Sequence, residues 1–174
     1  MGRESSESSE EARDAVDAIT AQWAIERPDL DVGPMAVIGR IHRIGEILDR
    51  RLREVFATEG LANGDFDVLA SLRRSGAPYA LSPSELADTT MVTSGATTKR
   101  IDRLVGRGLV SREVAAGDGR GRVIRLTAEG KELVDRLHPR HLANEDRLLA
   151  SLSPEQRAAL IELLRTLLLD LDDE

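Results

Sequence analysis

The sequence predicts a mainly α-helical fold with a small β-hairpin, an α+β arrangement in a chain of 174 residues. Three observations predict it. Apolar residues recur at helical spacing through most of the chain, as in Val37, Ile38, Ile41, Ile44, Ile47 and Leu48. Two adjoining runs, 109–114 and 121–127, read as strands, and Ala116-Gly117-Asp118-Gly119-Arg120 between them has hairpin chemistry. Ser82-Pro83-Ser84-Glu85 and Ser153-Pro154-Glu155-Gln156 are capping boxes with proline at the first helical position, so each marks a helix start.

The elements follow in order. Ala12, Val16, Ile19 and Trp23 predict a helix over 11–25, ended by Pro28 and the Asp-Leu-Asp after it. Pro34 opens a long helix near 35–59, closed by Gly60. Asn63 is expected to cap a third helix near 64–75, which Gly76 and Pro78 stop. Tyr79-Ala80-Leu81 is extended, the first capping box opens a short helix over 83–89, and 89–92 form a turn. Thr93 or Ser94 is expected to cap the next helix, near 94–107, and Gly108 ends it. After the hairpin, Thr127 starts a helix to about Leu152 with Pro139 as a kink, and a Leu-rich helix covers 154–171.

Composition removes several function classes. Hydrophobic residues are 41% of the chain, enough for a packed core. Aromatics are 2%, too few for a platform that stacks single-stranded bases. Cysteine is absent, which excludes disulfides, thiolate catalysis and cysteine-ligated zinc, and fits a reducing cytoplasm. No apolar run reaches the roughly 18 residues that a bilayer requires, so no membrane association is expected. The polar, acidic start does not read as a secretory signal. His138 and His141 read as surface histidines and His42 as exposed or satisfied by a partner; no metal or cofactor is expected. Carboxylates abound, but no spacing makes an acid/base pair, so an enzyme is not expected.

Net charge is −7, yet its distribution is uneven: residues 1–32 carry −6, residues 153–174 carry −4, and residues 92–126 carry +5. Phosphate attraction is local, so one basic face on an acidic molecule suffices for nucleic acid. That block coincides with the order helix, tight turn, helix, hairpin, which is a winged helix-turn-helix. Its second helix fits a major groove, and the hairpin reaches the adjacent minor groove or backbone.

On a wheel, the second helix turns Thr97, Ile101, Leu104 and Val105 inward and Gly95, Ala96, Lys99, Asp102 and Arg103 outward. Small residues at its start allow close approach to the bases. Lys99 and Arg103 suit guanine edges or phosphate, and Ser94 and Thr98 suit phosphate or a base edge. Arg120 and Arg122 at the hairpin are expected on DNA, with Asp118 able to hold an arginine. Arg100 faces neither way. Gly117, Gly119 and Gly121 lead into a strand, not a helix, so they do not read as a nucleotide-phosphate loop. The alternative reading is an all-helical interaction module whose basic hairpin contacts protein.

The run Asp67-Val68-Leu69, Leu86-Ala87, Val92-Thr93-Ser94-Gly95, Ile101-Asp102-Arg103-Leu104 and Gly108-Leu109-Val110 resembles MarR-type regulators. So does Asp118-Gly119-Arg120 running to Val123, Leu126-Thr127 and Gly130, and the resemblance covers roughly 34–170. It implies a homodimer whose terminal helices intertwine, with two winged domains on a palindromic DNA operator, usually repressing until a small ligand releases it. The expected division is 1–32 for an acidic segment and extra helix, 33–62 for a dimerisation helix, 63–127 for the winged helix-turn-helix, and 128–174 for C-terminal dimerisation helices. The extra helix with Trp23 resembles the urate-responsive, HucR- and PecS-like branch. That resemblance implies a ligand site from Trp23, Asp67, Arg100 and Arg112 for a small anionic effector, urate-like or citrate-like.

Overall fold

The computed structural model of the chain describes residues 13–90, 97–114 and 121–172. It is mostly helical with one small antiparallel sheet, as the sequence predicts. The order is α1 (Ala15–Glu26), α2 (Gly33–Ala57), α3 (Asn63–Arg74), β1 (Ala80–Leu81), α4 (Pro83–Thr89), α5 (Thr97–Gly106), β2 (Val110–Val114), β3 (Arg122–Leu126), α6 (Ala128–Leu148) and α7 (Pro154–Asp172). Ala12, the cap at Thr93 or Ser94 and the hairpin tip lie outside the described residues. The chain divides within α2 into two compact units, Met1–Arg50 and Arg51–Glu174.

In the first unit, Asp14 caps α1 by accepting the Val16 and Asp17 N–H groups, and the Asp17 carboxylate accepts the Asp14 N–H in return. Arg40 of α2 then bridges Asp14 at 2.8 Å and Asp17 at 2.5 Å. Val16 is buried against Gly39, where a Cβ would meet its Cγ1 at 3.3 Å. Most of the remaining apolar surface of this unit is open, including Trp23, Val37, Ile38 and Ile44.

The second unit holds the core. Phe66, Val68, Leu69 and Leu72 of α3 pack with Leu86 of α4, Ile101 and Leu104 of α5, Ile124 and Leu126 of β3, and Leu133, Val134 and Leu137 of α6. The sheet order is β1-β3-β2, with Val110 opposite Leu126 and Leu81 opposite Ile124. Ala80 and Leu81 are therefore drawn into the sheet beside the hairpin strands, whereas Tyr79, expected to be extended with them, has a φ of 59° and precedes the strand. Ser82 and Glu85 close the capping box of α4, and Ser153 and Gln156 that of α7. Thr127 caps α6 through the Gly130 N–H and also donates to the Leu109 carbonyl. Residue 130 must be glycine for that junction, because a Cβ there would lie 2.1 Å from the Leu109 oxygen.

Four expectations are corrected. α3 begins at Asn63, with Ala62 at its N-cap position; the Asp65 carboxylate accepts the Ala62 N–H. α6 ends at Leu148 rather than near Leu152, with Pro139 inside it. Val105 is exposed, because the core beside α5 is filled by Thr97, Ile101 and Leu104. His141 is not a surface histidine: its ring packs 5.0 Å from Phe56 and 5.4 Å from Phe66, which themselves stack at 4.4 Å.

Candidate nucleic-acid interface

The helix-turn-helix is α4 and α5, both packed on α3. The C-terminal carbonyl of α4, on Thr89, accepts from Ser71 and Arg74 of α3. At the other end, Arg107 donates to the carbonyls of Glu59 and Gly60, each at 2.8 Å. α5 is thus tied to the turn that follows α2 as well as to α3. Thr97, Ile101 and Leu104 bury its inner face, and Thr98, Lys99 and Asp102 stand outward in solvent.

Much of the basic block is committed inside the fold. Asp65, fully buried in the first turn of α3, takes a two-pronged bond from Arg103 Nε and Nη2, the shortest contact being 2.6 Å. These bonds raise the Arg103 pKa above its ordinary value. Arg103, expected on base edges, is therefore turned back onto α3, because a buried carboxylate demands a cationic partner. Arg112 pairs with Asp102 of α5 at 2.6 Å. Arg125 pairs with Glu113 across the sheet and donates to the Pro78 carbonyl, and its guanidinium with Ser111 holds the Glu113 carboxyl below its ordinary value. Lys99 and Arg122 are exposed and pair with no carboxylate among the described residues. Arg122 opens β3, opposite Val114 at the end of β2. Ser94, Gly95, Ala96, Asp118 and Arg120 lie outside the described residues.

The four residues of the implied ligand site fall in both units, Trp23 in the first and Asp67, Arg100 and Arg112 in the second. Trp23 is half-exposed in the first unit, Asp67 is partly buried on α3, and Arg112 is engaged by Asp102. Arg100 lies against Gly64, where a Cβ would fall 2.1 Å from its Cζ, and its buried Nη1 has no hydrogen-bond partner. Beside it is a cavity of about 340 Å³ lined by Arg53, Arg100, Arg103, Leu61, Gly64 and two alanines. Arg53, Gly64 and Asp65 were not singled out from the sequence. A glycine in the first turn of an amphipathic helix was the available signal, since such a residue marks close packing.

Among the described residues no helix is long and apolar enough to cross a membrane, and no cluster of three or more His, Asp or Glu residues could hold a metal ion. A family model described as MarR family matches residues 59–121, which spans α3, the helix-turn-helix and the start of the wing. The HTH-type transcriptional regulator PecS of Dickeya dadantii is 44% identical over 84% of this chain and 88% of its own length. The multiple antibiotic resistance protein MarR of Escherichia coli is 32% identical over 75% of this chain and 90% of its own. Sco3205, a MarR family transcriptional regulator from Streptomyces coelicolor solved in complex with DNA, superposes with a TM-score of 0.72 at 26% identity, over 79% of this chain and 87% of that one. These relatives are transcription regulators, not enzymes, and with a helix-turn-helix followed by a β-wing on one core they place the chain in the MarR family of winged helix-turn-helix transcription regulators.

Proposed function

We propose that the chain is a repressor that binds a palindromic operator as a homodimer and is released by a small anion. The outward face of α5 carries this reading. Thr98 and Lys99 are exposed there, and Arg122 is exposed on the wing strand, leaving cations available for phosphate and base edges. Close approach at Gly95 and Ala96, a phosphate or base-edge bond from Ser94 and a phosphate contact from Arg120 complete the proposed interface.

The dimer reading is supported by α7, which buries none of its residues in one copy: Leu163 is 70% exposed and Leu169 62%. A leucine face of that width in water calls for a cover, and a second copy of the same helix supplies one. Residues 33–62 and 128–174 then serve as dimerisation segments, 63–127 as the reading head, and 1–32 as an acidic appendage. The effector acts by linkage, binding better when the two heads are wrongly spaced for successive major grooves, so that DNA and ligand weaken each other equally. Of Trp23, Asp67, Arg100 and Arg112, Arg100 has surroundings that favour a ligand contact, since its buried Nη1 lacks an acceptor.

A salt-titrated gel shift on the DNA upstream of the gene tests the reading. The expected result is sequence-specific affinity that falls with salt. Arg122→Ala should weaken all sequences alike and lower the salt slope by about 1, and Lys99→Ala should relax base preference. A protein-interaction module would show neither sequence specificity nor these variant effects.

A further inference from the structure

The turn that follows α2 carries an inference that rests on the homodimer-on-operator reading and deepens it. This turn has a fixed shape. The Leu61 N–H donates to the Phe56 carbonyl and the Gly60 N–H to the Ala57 carbonyl, with Gly60 at a φ of 66°, a conformation that glycine adopts without strain. Phe56 and Leu61, on either side, are buried in the core. The carbonyls of Glu59 and Gly60 take no part in closing the helix.

Two grips meet there. Arg107, directly after α5, donates from Nη1 to the Gly60 carbonyl and from Nη2 to the Glu59 carbonyl, each at 2.8 Å. The Glu59 side chain reaches the other way, to α6. Its Oε2 lies 3.5 Å from Arg136 Nη2 and its Oε1 3.6 Å from Arg140 Nη1, and Arg140 also donates to Thr58 Oγ1 at 3.4 Å. Arg136 and Arg140 share one face of α6, being one helical repeat apart. α5 and α6 both pack on α3. The path from Arg107 through residue 59 to Arg136 and Arg140 is a second connection between them, made of charge-assisted contacts in series. α6 leads on to α7, whose leucine face is the proposed homodimer contact. The angle of α5 on α6 then decides where a recognition helix stands relative to its copy.

We propose that Glu59 is a positioning residue: it ties the recognition helix to α6, and through that tie it sets the half-site spacing that the homodimer accepts. As a carboxylate it also repels phosphate, so its removal raises affinity for all DNA alike. Spacing preference separates the two effects.

The test uses the full-length protein. The chain has no cysteine, so Lys99→Cys and Glu132→Cys place one spin label on the exposed face of α5 and one on α6. Label-to-label distances are read in the free protein, diluted with unlabelled chain, for the parent, Glu59→Gln, Arg107→Ala and both together. Unlabelled proteins are titrated onto the operator and onto the same operator with one base pair inserted between half-sites. Glu59→Gln should broaden the distance distribution and shrink the affinity penalty of the insertion about threefold or more. Arg107→Ala should do the same, and the double variant no more than either, because links in series fail once. Glu59→Arg with Arg136→Glu and Arg140→Glu should restore both readings, which separates the tie from a loss of folding. An unbroadened distribution in Glu59→Gln, or an unchanged insertion penalty, overturns the inference. A parent protein without sequence-specific DNA affinity overturns the operator reading and with it the spacing role, while the label distances still decide whether Glu59 ties α5 to α6.

Discussion

Asp65 and Arg103 join the first turn of α3 to the middle of α5 through a two-pronged ion pair, the carboxylate fully buried and the guanidinium half-exposed. The pair orients the recognition helix on the core. Arg103→Ala leaves Asp65 buried without its cation and should cost about 1–3 kcal/mol of stability, reduced from the fully buried case because water reaches the arginine side. Asp65→Asn should cost less, and the double variant should recover part of the loss. Urea melts of the three variants measure the coupling; strictly additive losses would refute it.

Gly130→Ala tests the junction between the wing and α6. The added methyl meets the Leu109 carbonyl at 2.1 Å and Leu126 Cδ1 at 2.9 Å, so the strand or the helix start must shift. The expected cost is about 1–3 kcal/mol. A thermal melt should show Tm lower by about 2–4 °C per kcal/mol.

His141 predicts a pH dependence. Burial beside Phe56 and Phe66 pushes its imidazole below the ordinary value; Glu145 at 3.1 Å pulls it back up, and His138 adds a smaller downward push. The unfolded chain takes up this proton near pH 6.5 while the folded chain stays neutral to lower pH. Stability is therefore full above about pH 7 and falls as pH drops through 6.5, with a slope of at most about 1.4 kcal/mol per unit. His141→Phe should flatten Tm against pH between about 5 and 7 without changing the acid limb below 4.5, where Asp135, Glu113 and Asp17 titrate with lowered values.

Removal of residues 153–174 deletes α7. Gel filtration and melting should then show aggregate or loss of cooperative unfolding, as expected where the folded state depends on a partner copy. A soluble monomer with a sharp melt would refute the α7 interface.

Local features were legible in the sequence. The boxes at Ser82 and Ser153 and the Thr127 cap involve residues within three positions of one another, and each forms as read. The helical stripes were equally plain, because periodicity is a property of one segment. Contacts over distance were not. Arg103 looked free on a wheel because its partner Asp65 is 38 residues away. The Arg112–Asp102 pair was hidden for a similar reason: it depends on how β2 lies against α5. His141 was misread because Phe56 and Phe66, the rings that cover it, come from α2 and α3. Arg53 lines the cavity beside Arg100 only because folding brings the two together.

Arg107 clasps the carbonyls of Glu59 and Gly60 while Arg103 grips Asp65, so α5 is fastened to the same scaffold near its middle and at its C-terminal end. A rod fixed at two points along its length cannot swivel about its own axis. The face it offers to a base pair is set once, during folding. In the proposed homodimer, an effector that loosens DNA would then relocate each reading head as a whole, and what it would alter is the gap between heads. Occupancy of an operator should fall with effector while the ranking of operator sequences stays the same.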